Sequence, residues 1–275
     1  MTHPVLAPNH VAVVTGGAAG IGLAAARKFV SLGLKVAIAD CRQEALDAAA
    51  ATLGPDVLAM RVDVANRADV EALKDAVYQR FGAVHVLMNN AGTGNGGPAL
   101  GDLPDWQRVI GTNLWGVVNG VQVFVPEMLN NATPALVINT GSKQGITTPP
   151  GDTAYNVSKA GVKVLTEALQ HELRNKDGAR ISVHLLIPGF VWTGLTSGAK
   201  TDKPAGAWTP EQTIDFMLES LDRGDFYILC PDNEVDRATD EKRILWAAGD
   251  IVENRPPLSR WHKDYGDAFK AFLKG

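Results

Sequence analysis

Thr15-Gly16-Gly17-Ala18-Ala19-Gly20-Ile21-Gly22 lies between an apolar run, His10–Thr15, and a segment of helical period, Ile21–Leu32. Glycines in this position allow a tight turn and let the backbone approach a pyrophosphate. The start of the next helix adds free N–H groups and the positive end of its dipole. A glycine-rich turn alone is weak evidence, because a plain strand-to-helix turn reads the same way. Its place between an apolar strand and a helix turns the reading towards a bound dinucleotide. The spacing, TGxxxGxG, is not the GxGxxG of the general dinucleotide fingerprint.

Outward from this turn, short apolar runs alternate with longer amphipathic segments. The short runs are His10–Thr15, Leu34–Ala39, Val57–Val62, Val84–Met88, Ala135–Asn139, Ile181–Ile187 and Phe226–Leu229. They are rich in Val, Ile and Leu, as strands buried on both faces of a parallel sheet are. Helical period marks Ile21–Leu32, Gln43–Leu53, Arg67–Phe81, Trp106–Leu129 and Tyr155–Leu173. Repeated strand–helix–strand units force right-handed crossovers. The expected fold is therefore α/β: a doubly wound, seven-stranded parallel sheet with helices on both faces, one domain over 1–275. Glycines and prolines gather at Gly92–Pro98, Thr147–Gly151 and Gly194–Gly206, read as loops at the carboxyl edge of the sheet, where ligands bind in such folds. Thr209–Leu221 reads as a helix capped by Thr209, and the residues from about 250 to 275 as an extension with an extended stretch at Arg255–Leu258.

Composition excludes several function classes. The formal net charge is −4, with 45% hydrophobic residues. No cluster of Lys and Arg marks a nucleic-acid or anionic-membrane partner. No apolar run reaches the roughly 18 residues of a membrane span, and Met1–Asn9 lacks a basic region followed by an apolar one. Two cysteines, Cys41 and Cys230, are too few for a disulfide framework and have no partner at metal-ligand spacing, and the histidines match no ligand pattern. A cytoplasmic protein without a metal is expected.

Two further features carry chemistry. Asp40 ends the second apolar run. A carboxylate there can accept the adenosine ribose hydroxyls and repel the 2′-phosphate of NADP, so NAD is favoured; the plainer reading is an Asp that starts the next helix. Cys41 beside it brings no cation, whereas Arg42 is near enough to matter. Tyr155 and Lys159 are spaced i, i+4 and share a helix face. A free phenol has a pKa near 10; a nearby ammonium favours the phenolate and brings it towards the range of a general acid/base. Such pairs are also common on helix surfaces. Ser142 follows the fifth strand and points to the same edge. Asn113 sits inside a helical segment, where its propensity is poor.

Thr15–Gly22, Asp63-Val64, Asn89-Asn90-Ala91-Gly92, Asn113, Ser142, Tyr155 with Lys159, and Pro188-Gly189 followed by Thr193 appear in one order. In order and spacing they resemble the short-chain dehydrogenase/reductase family over residues 10 to 193. The resemblance implies a Rossmann-type sheet and a hydride exchanged with NAD. It gives Tyr155 the role of general acid/base and Lys159 that of lowering its pKa. Ser142 would orient the substrate oxygen, and Asn113 would hold a proton-relay water. Cofactor contacts would come from Gly16, Ala18, Gly20, Ile21 and Gly22, from Asp40 and Cys41, and from Asp63 and Val64 around the adenine. Asn90, Ala91, Gly92, Thr140, Tyr155, Lys159, Pro188, Gly189, Val191 and Thr193 would complete them. Asp63 can equally be a helix-capping residue, and Asn89 and Asn90 can serve to bond neighbouring strands.

The expected activity is interconversion of a secondary alcohol, aryl or cyclic, and a ketone. A loop over about 190–208 would cover the substrate, with Phe190, Trp192 and Trp208 as an apolar wall. Lys143 would either attract an anionic substrate or point to water. Val117, Val121, Phe124 and Val125 exceed what one side of a sheet requires. With the family's habit of pairing through the helices over 112–129 and 155–173, they imply a homodimer or homotetramer. The alternatives are a non-catalytic NAD(H)-binding sensor on the same fold and a related dehydratase or epimerase.

Overall fold

A computed structural model describes residues 3–131, 133–198 and 201–275. Seven strands form one sheet: β1 (Val11–Thr15), β2 (Lys35–Asp40), β3 (Leu58–Arg61), β4 (Val86–Asn89), β5 (Ala135–Thr140), β6 (Ile181–Ile187) and β7 (Tyr227–Leu229). Their order is β3-β2-β1-β4-β5-β6-β7, and every pairing is parallel. The direction of winding reverses between β1 and β4, which opens a crevice at their carboxyl ends.

Alternation along the strands builds two cores. Val13, Ala37, Leu87 and Val137 face one layer, with Leu73, Val77, Phe124, Met128 and Leu173. Val14, Ile38, Met88 and Ile138 face the other, with Phe29, Leu46, Met217 and Leu221. The first layer holds α3 (Arg67–Phe81), α5 (Gly116–Asn130) and α7 (Thr153–Arg174). The second holds α1 (Gly20–Ser31), α2 (Gln43–Leu53) and α9 (Pro210–Arg223). The doubly wound expectation therefore holds, with strand ends shifted by one or two residues. His184 is a core residue of β6, its Nδ1 2.9 Å from the Asp225 carbonyl oxygen.

The segment read as one helix over 106–129 is three elements. α4 (Leu103–Ile110) runs into a π turn, Gly111–Trp115, and α5 follows without a break. The extra residue per turn swings Asn113 inward, where it is fully buried. Short helices α6 (Gln144–Thr147) and α8 (Gly194–Ser197) border the crevice. Ala199 and Lys200, part of the expected covering loop, lie outside the described residues.

The C-terminal extension is mostly helical, and Arg255–Leu258, expected to be extended, is a short connection that turns at Leu258 (φ +57°). α10 (Arg237–Val252) is capped by Asp236, whose carboxylate accepts the Thr239 N–H at 2.8 Å. A 3₁₀ turn, Ser259–Trp261, and α11 (Gly266–Lys274) then fold back around Trp246. The Trp246 indole donates to Ser259 Oγ at 2.8 Å, and its ring lies 5.3 Å from those of Phe269 and Phe272. The Arg255 guanidinium stacks 4.0 Å over the same indole and pairs with Asp250 at 3.0 Å. Trp246→Ala removes the common centre of these contacts. It is expected to cost about 3 kcal/mol in urea unfolding and to open residues 253–275 to limited proteolysis while the sheet stays intact.

Candidate active site

The nucleotide turn comes first. Gly16 has φ +63°, a left-handed conformation that favours glycine. A Cβ on Gly22 would strike the Gly16 carbonyl and stand 2.6 Å from Asn90 Nδ2, so α1 packs directly against the turn. Ala19, at the cap position of α1, has no side chain able to cap. The N–H groups of the first turn thus face the crevice with only the helix dipole behind them. Thr15 Oγ1 accepts the N–H groups of Asn90 and Ala91 at 3.0 and 3.2 Å. Asn90 Nδ2 donates to Thr15 O at 3.1 Å, and its Oδ1 accepts from the Thr140 hydroxyl at 3.3 Å. Asn89 Nδ2 donates to Asn139 Oδ1 at 2.9 Å. Both asparagines bind strands together.

Asp40 ends β2, almost wholly buried. It accepts the Arg42 backbone N–H at 3.1 Å and grips the Arg42 guanidinium with both oxygens, at 3.1 and 3.2 Å. That pairing raises the Arg42 pKa, chiefly through the hydrogen bond to Asp40. Cys41 is exposed beside them. Asp63 lies past the end of β3 at the surface, where its Oδ1 accepts the Ala65 N–H at 3.0 Å, a local turn contact. Val64 is buried against the face of α5 at Gly116, and its carbonyl accepts from Asn119 Nδ2 at 2.9 Å. Thr193 packs directly on the glycine turn: a Cβ on Gly20 would stand 3.1 Å from its methyl group. Thr193 also starts α8 through a capping box with Thr196. Val191 pairs with Trp208 in a parallel bridge. The Trp208 ring goes to packing, 5.8 Å from Phe216 on α9.

Ser142, Tyr155 and Lys159 converge where β5 ends. Asp152 caps α7, its Oδ1 accepting the N–H of Tyr155 at 3.2 Å and of Gly96 at 3.1 Å. The loop after β4 is thereby fastened to the helix that carries Tyr155. Ser142 accepts the Gln144 N–H at 3.1 Å, and its hydroxyl lies near enough to Tyr155 to favour the phenolate. Lys159 is buried, its Nζ donating to the Thr140 carbonyl at 2.8 Å and lying 5.7 Å from the centre of the Tyr155 ring. Burial pushes this ammonium down to about 8.

The tyrosine departs from expectation. Burial moves the Tyr155 hydroxyl up from its ordinary value; the Ser142 hydroxyl draws it back and Asp152 adds to the rise. The lysine gives its hydrogen bond to Thr140 and not to the phenol. Burial therefore dominates in the protein alone.

Asn113 is brought to the same place by the π turn. Its Oδ1 accepts the Thr93 N–H at 2.7 Å, and its Nδ2 donates to Thr93 O at 2.9 Å and Ser158 Oγ at 3.1 Å. The Ser158 hydroxyl donates in turn to the Tyr155 carbonyl at 2.7 Å. The amide is thus fully engaged in holding the turn around Gly92, next to Lys159. Sequence reading missed Asp152, Thr93 and Ser158; of these, only Asp152 had a signal, as an N-cap residue before a helical run. Lys143 neither faces water nor lines the cleft. Its Nζ lies 2.6 Å from Asp240 and 3.3 Å from Asp232.

With this geometry in place, similarity becomes informative. The family model for short chain dehydrogenase matches residues 10–204. The chain belongs to that family. It is 32% identical to 1-deoxy-11-β-hydroxypentalenate dehydrogenase of Streptomyces exfoliatus over 92% of this chain and 94% of the relative. It is 35% identical to meso-2,3-butanediol dehydrogenase of Serratia marcescens, covering 69% of this chain and 74% of the relative. Among solved structures, a short chain dehydrogenase/reductase from Burkholderia phymatum in complex with NAD superposes with a TM-score of 0.82 at 35% identity, covering 91% of this chain and 96% of that one. This short chain dehydrogenase is an oxidoreductase, and no helix among its described residues is long and apolar enough to cross a membrane.

The buried lysine makes a prediction about stability. Its folded pKa, about 8, lies below the ordinary lysine value of 10.5. The unfolded chain therefore binds more protons between these values, so the lysine's penalty is full below pH 8 and fades as pH rises towards 10.5. Lys159→Met is expected to stabilise the protein by about 2 kcal/mol at pH 7, with the gain shrinking by pH 10. Urea unfolding at the two pH values measures it; a gain that does not change with pH would contradict the assignment.

Proposed function

We propose that the chain is an NAD-dependent dehydrogenase that interconverts a secondary alcohol and a ketone. The observation that carries this reading is the convergence of Ser142, Tyr155 and the buried Lys159 at the end of β5, beside the crevice between β1 and β4. The uncapped start of α1 fits a pyrophosphate, and the Asp40 carboxylate fits the adenosine ribose. Arg42 is drawn onto Asp40 by two contacts, which takes its charge away from a 2′-phosphate and favours NAD over NADP. When bound, NAD⁺ supplies the hydride acceptor and a positive ring that favours the phenolate.

The chain's own residues do the rest. The Ser142 and Tyr155 hydroxyls hold the substrate oxygen between them. Tyr155 takes the proton during oxidation and returns it during reduction. Lys159 stabilises the phenolate, offsetting the effect of burial. Asn113 keeps the Thr93 turn closed beside Lys159, and because its amide is engaged there, a relay water would be held by the backbone of the π turn and not by this side chain. The relatives' names include a hydroxypentalenate and a butanediol dehydrogenase, and a 3β-hydroxysteroid dehydrogenase of Eggerthella lenta is 32% identical over 74% of this chain and 79% of its own. A cyclic or aryl secondary alcohol is the substrate class we assign. Trp115, Val157 and Val164 leave apolar surface exposed on and beside α5 and α7, which supports a homodimer or homotetramer built on those helices, in the cytoplasm.

Turnover is read as growth of reduced-nicotinamide absorbance on a panel of aryl, cyclic and aliphatic secondary alcohols. Tyr155→Phe is expected to lower kcat by about 10³-fold or more and Ser142→Ala by about 10²-fold, with NADH binding retained. NADH binding without turnover on any alcohol would move the reading to a non-catalytic sensor. Asp40→Ser is expected to raise the relative use of NADP⁺ by about tenfold; wild-type turnover that is equal with both cofactors would overturn the role given to Asp40.

A further inference from the structure

Lys143 follows Ser142 directly and is the hub of the turn that leads into α6. Its N–H donates to the Pro188 carbonyl at 3.3 Å. Its own carbonyl accepts the N–H groups of Ile146 and Thr147, both at 3.1 Å. The side chain runs away from the cleft into a buried cluster: the side chains of Lys143, Asp232 and Asp240 are 16%, 7% and 5% exposed. One ammonium therefore answers two carboxylates from far along the chain.

Asp232 extends the cluster. The oxygen that meets Lys143 also accepts the Phe190 N–H at 3.3 Å, and the other accepts the N–H groups of Glu234 and Val235 at 3.1 and 2.8 Å. The turn at Gly189 is seated on it: a Cβ there would stand 2.6 Å from Asp232 Oδ2 and 2.8 Å from Lys143 Nζ. Asp240 belongs to α10, so this ion pair ties the C-terminal extension to the turn that carries Ser142. Arg243 and Arg260 stand beside Asp240 at a small cavity and compensate the second carboxylate. The neighbouring Cys230 thiol, buried and pushed up to about 12, brings no charge.

We propose that Asp240 and Asp232 are positioning residues for Ser142. By gripping Lys143 they fix the turn that presents the Ser142 hydroxyl to Tyr155, and they draw the ammonium out of the substrate cleft. The proposal rests on the reading of Ser142 and Tyr155 as the reacting pair. A buried cation that loses one of two anions must move or find water, and it carries the adjoining backbone with it. A displacement of about 1 Å at a reacting group is enough to lower turnover by up to about 10²-fold.

The test uses the full chain and the variants Asp240→Asn, Asp240→Glu, Lys143→Met and the double variant Lys143→Met/Asp240→Asn. The first readout is amide hydrogen exchange over residues 141–149, with the β1–α1 region as reference. The second is kcat and KM on the alcohol panel. Asp240→Asn is expected to speed exchange at 141–149 by about tenfold or more while β1–α1 is unchanged. It should lower kcat by about tenfold with KM for NAD⁺ within about twofold, and Asp240→Glu should recover most of both. The double variant should be no worse than Lys143→Met alone, the signature of one shared interaction. Wild-type exchange and kcat in Asp240→Asn would overturn the proposal, as would additive losses in the double variant. If Asp240→Asn does not fold, the comparison of Lys143→Met with wild type carries the same readouts. If the wild type turns over no alcohol, the dehydrogenase reading fails, and the exchange measurement still decides whether Asp240 holds the Ser142 turn.

Discussion

A lysine ammonium sealed inside the protein sets the terms for everything around it. Lys159 has one protein partner of full strength, the carbonyl of Thr140, and that carbonyl is the last of β5. The bond fixes the register of the 22-residue α7 against the sheet, and with it the place of Tyr155 one turn earlier. Neighbouring positions have to be small as a result. A Cβ on Gly145 would stand 2.5 Å from the Lys159 carbonyl carbon, so only glycine lets α6 approach α7 here. The charge is costly to bury, and the protein places it 5.7 Å from the centre of the Tyr155 ring. Local rules are often broken at functional sites, and the energy is recovered elsewhere in the fold.

The sheet supplies what the lysine needs. Parallel strands bring every carboxyl end to one edge, so Thr15, Asp40, Asn89 and Thr140 end near one another although up to 125 residues separate them in the chain. Polar side chains at those ends are not free to face a ligand only. Thr15, Asn90 and Thr140 form a hydrogen-bonded chain across β1, β4 and β5 that keeps the crevice at a fixed width. The π turn at Asn113 completes the site from the other side. One residue more than an α-helix allows lets a buried amide clasp both the N–H and the carbonyl of Thr93.

Much of this was legible in the residues. The seven apolar runs became seven strands because strands buried on two faces need unbroken Val, Ile and Leu. Gln43–Leu53 and Arg67–Phe81 matched helices α2 and α3 residue for residue, since their apolar spacing is regular and their ends carry caps or glycine. The C-terminal helices were not legible. α10 buries only Asp240 and Trp246 and presents no clear apolar stripe, and the stripe of α11, Phe269 with Phe272, is only nine residues long. The break at Gly111–Trp115 was signalled by Asn113, a residue ill suited to a helix interior, whose place in the family resemblance implies an interrupted helix.

The sequence by itself determined the winding of the sheet, the nucleotide turn and the set of residues from which a site can be built. These depend on local period, on glycine where only glycine fits, and on side-chain chemistry. Tertiary structure alone decided how those residues are used. It gave the Lys143 charge to two distant aspartates and turned the Asn113 amide onto Thr93. It also raised the tyrosine where the isolated Tyr155–Lys159 spacing promised the opposite. The reason is physical: a charge or a hydrogen bond takes its value from the groups and the burial around it, and the chain brings those together from positions that share no pattern.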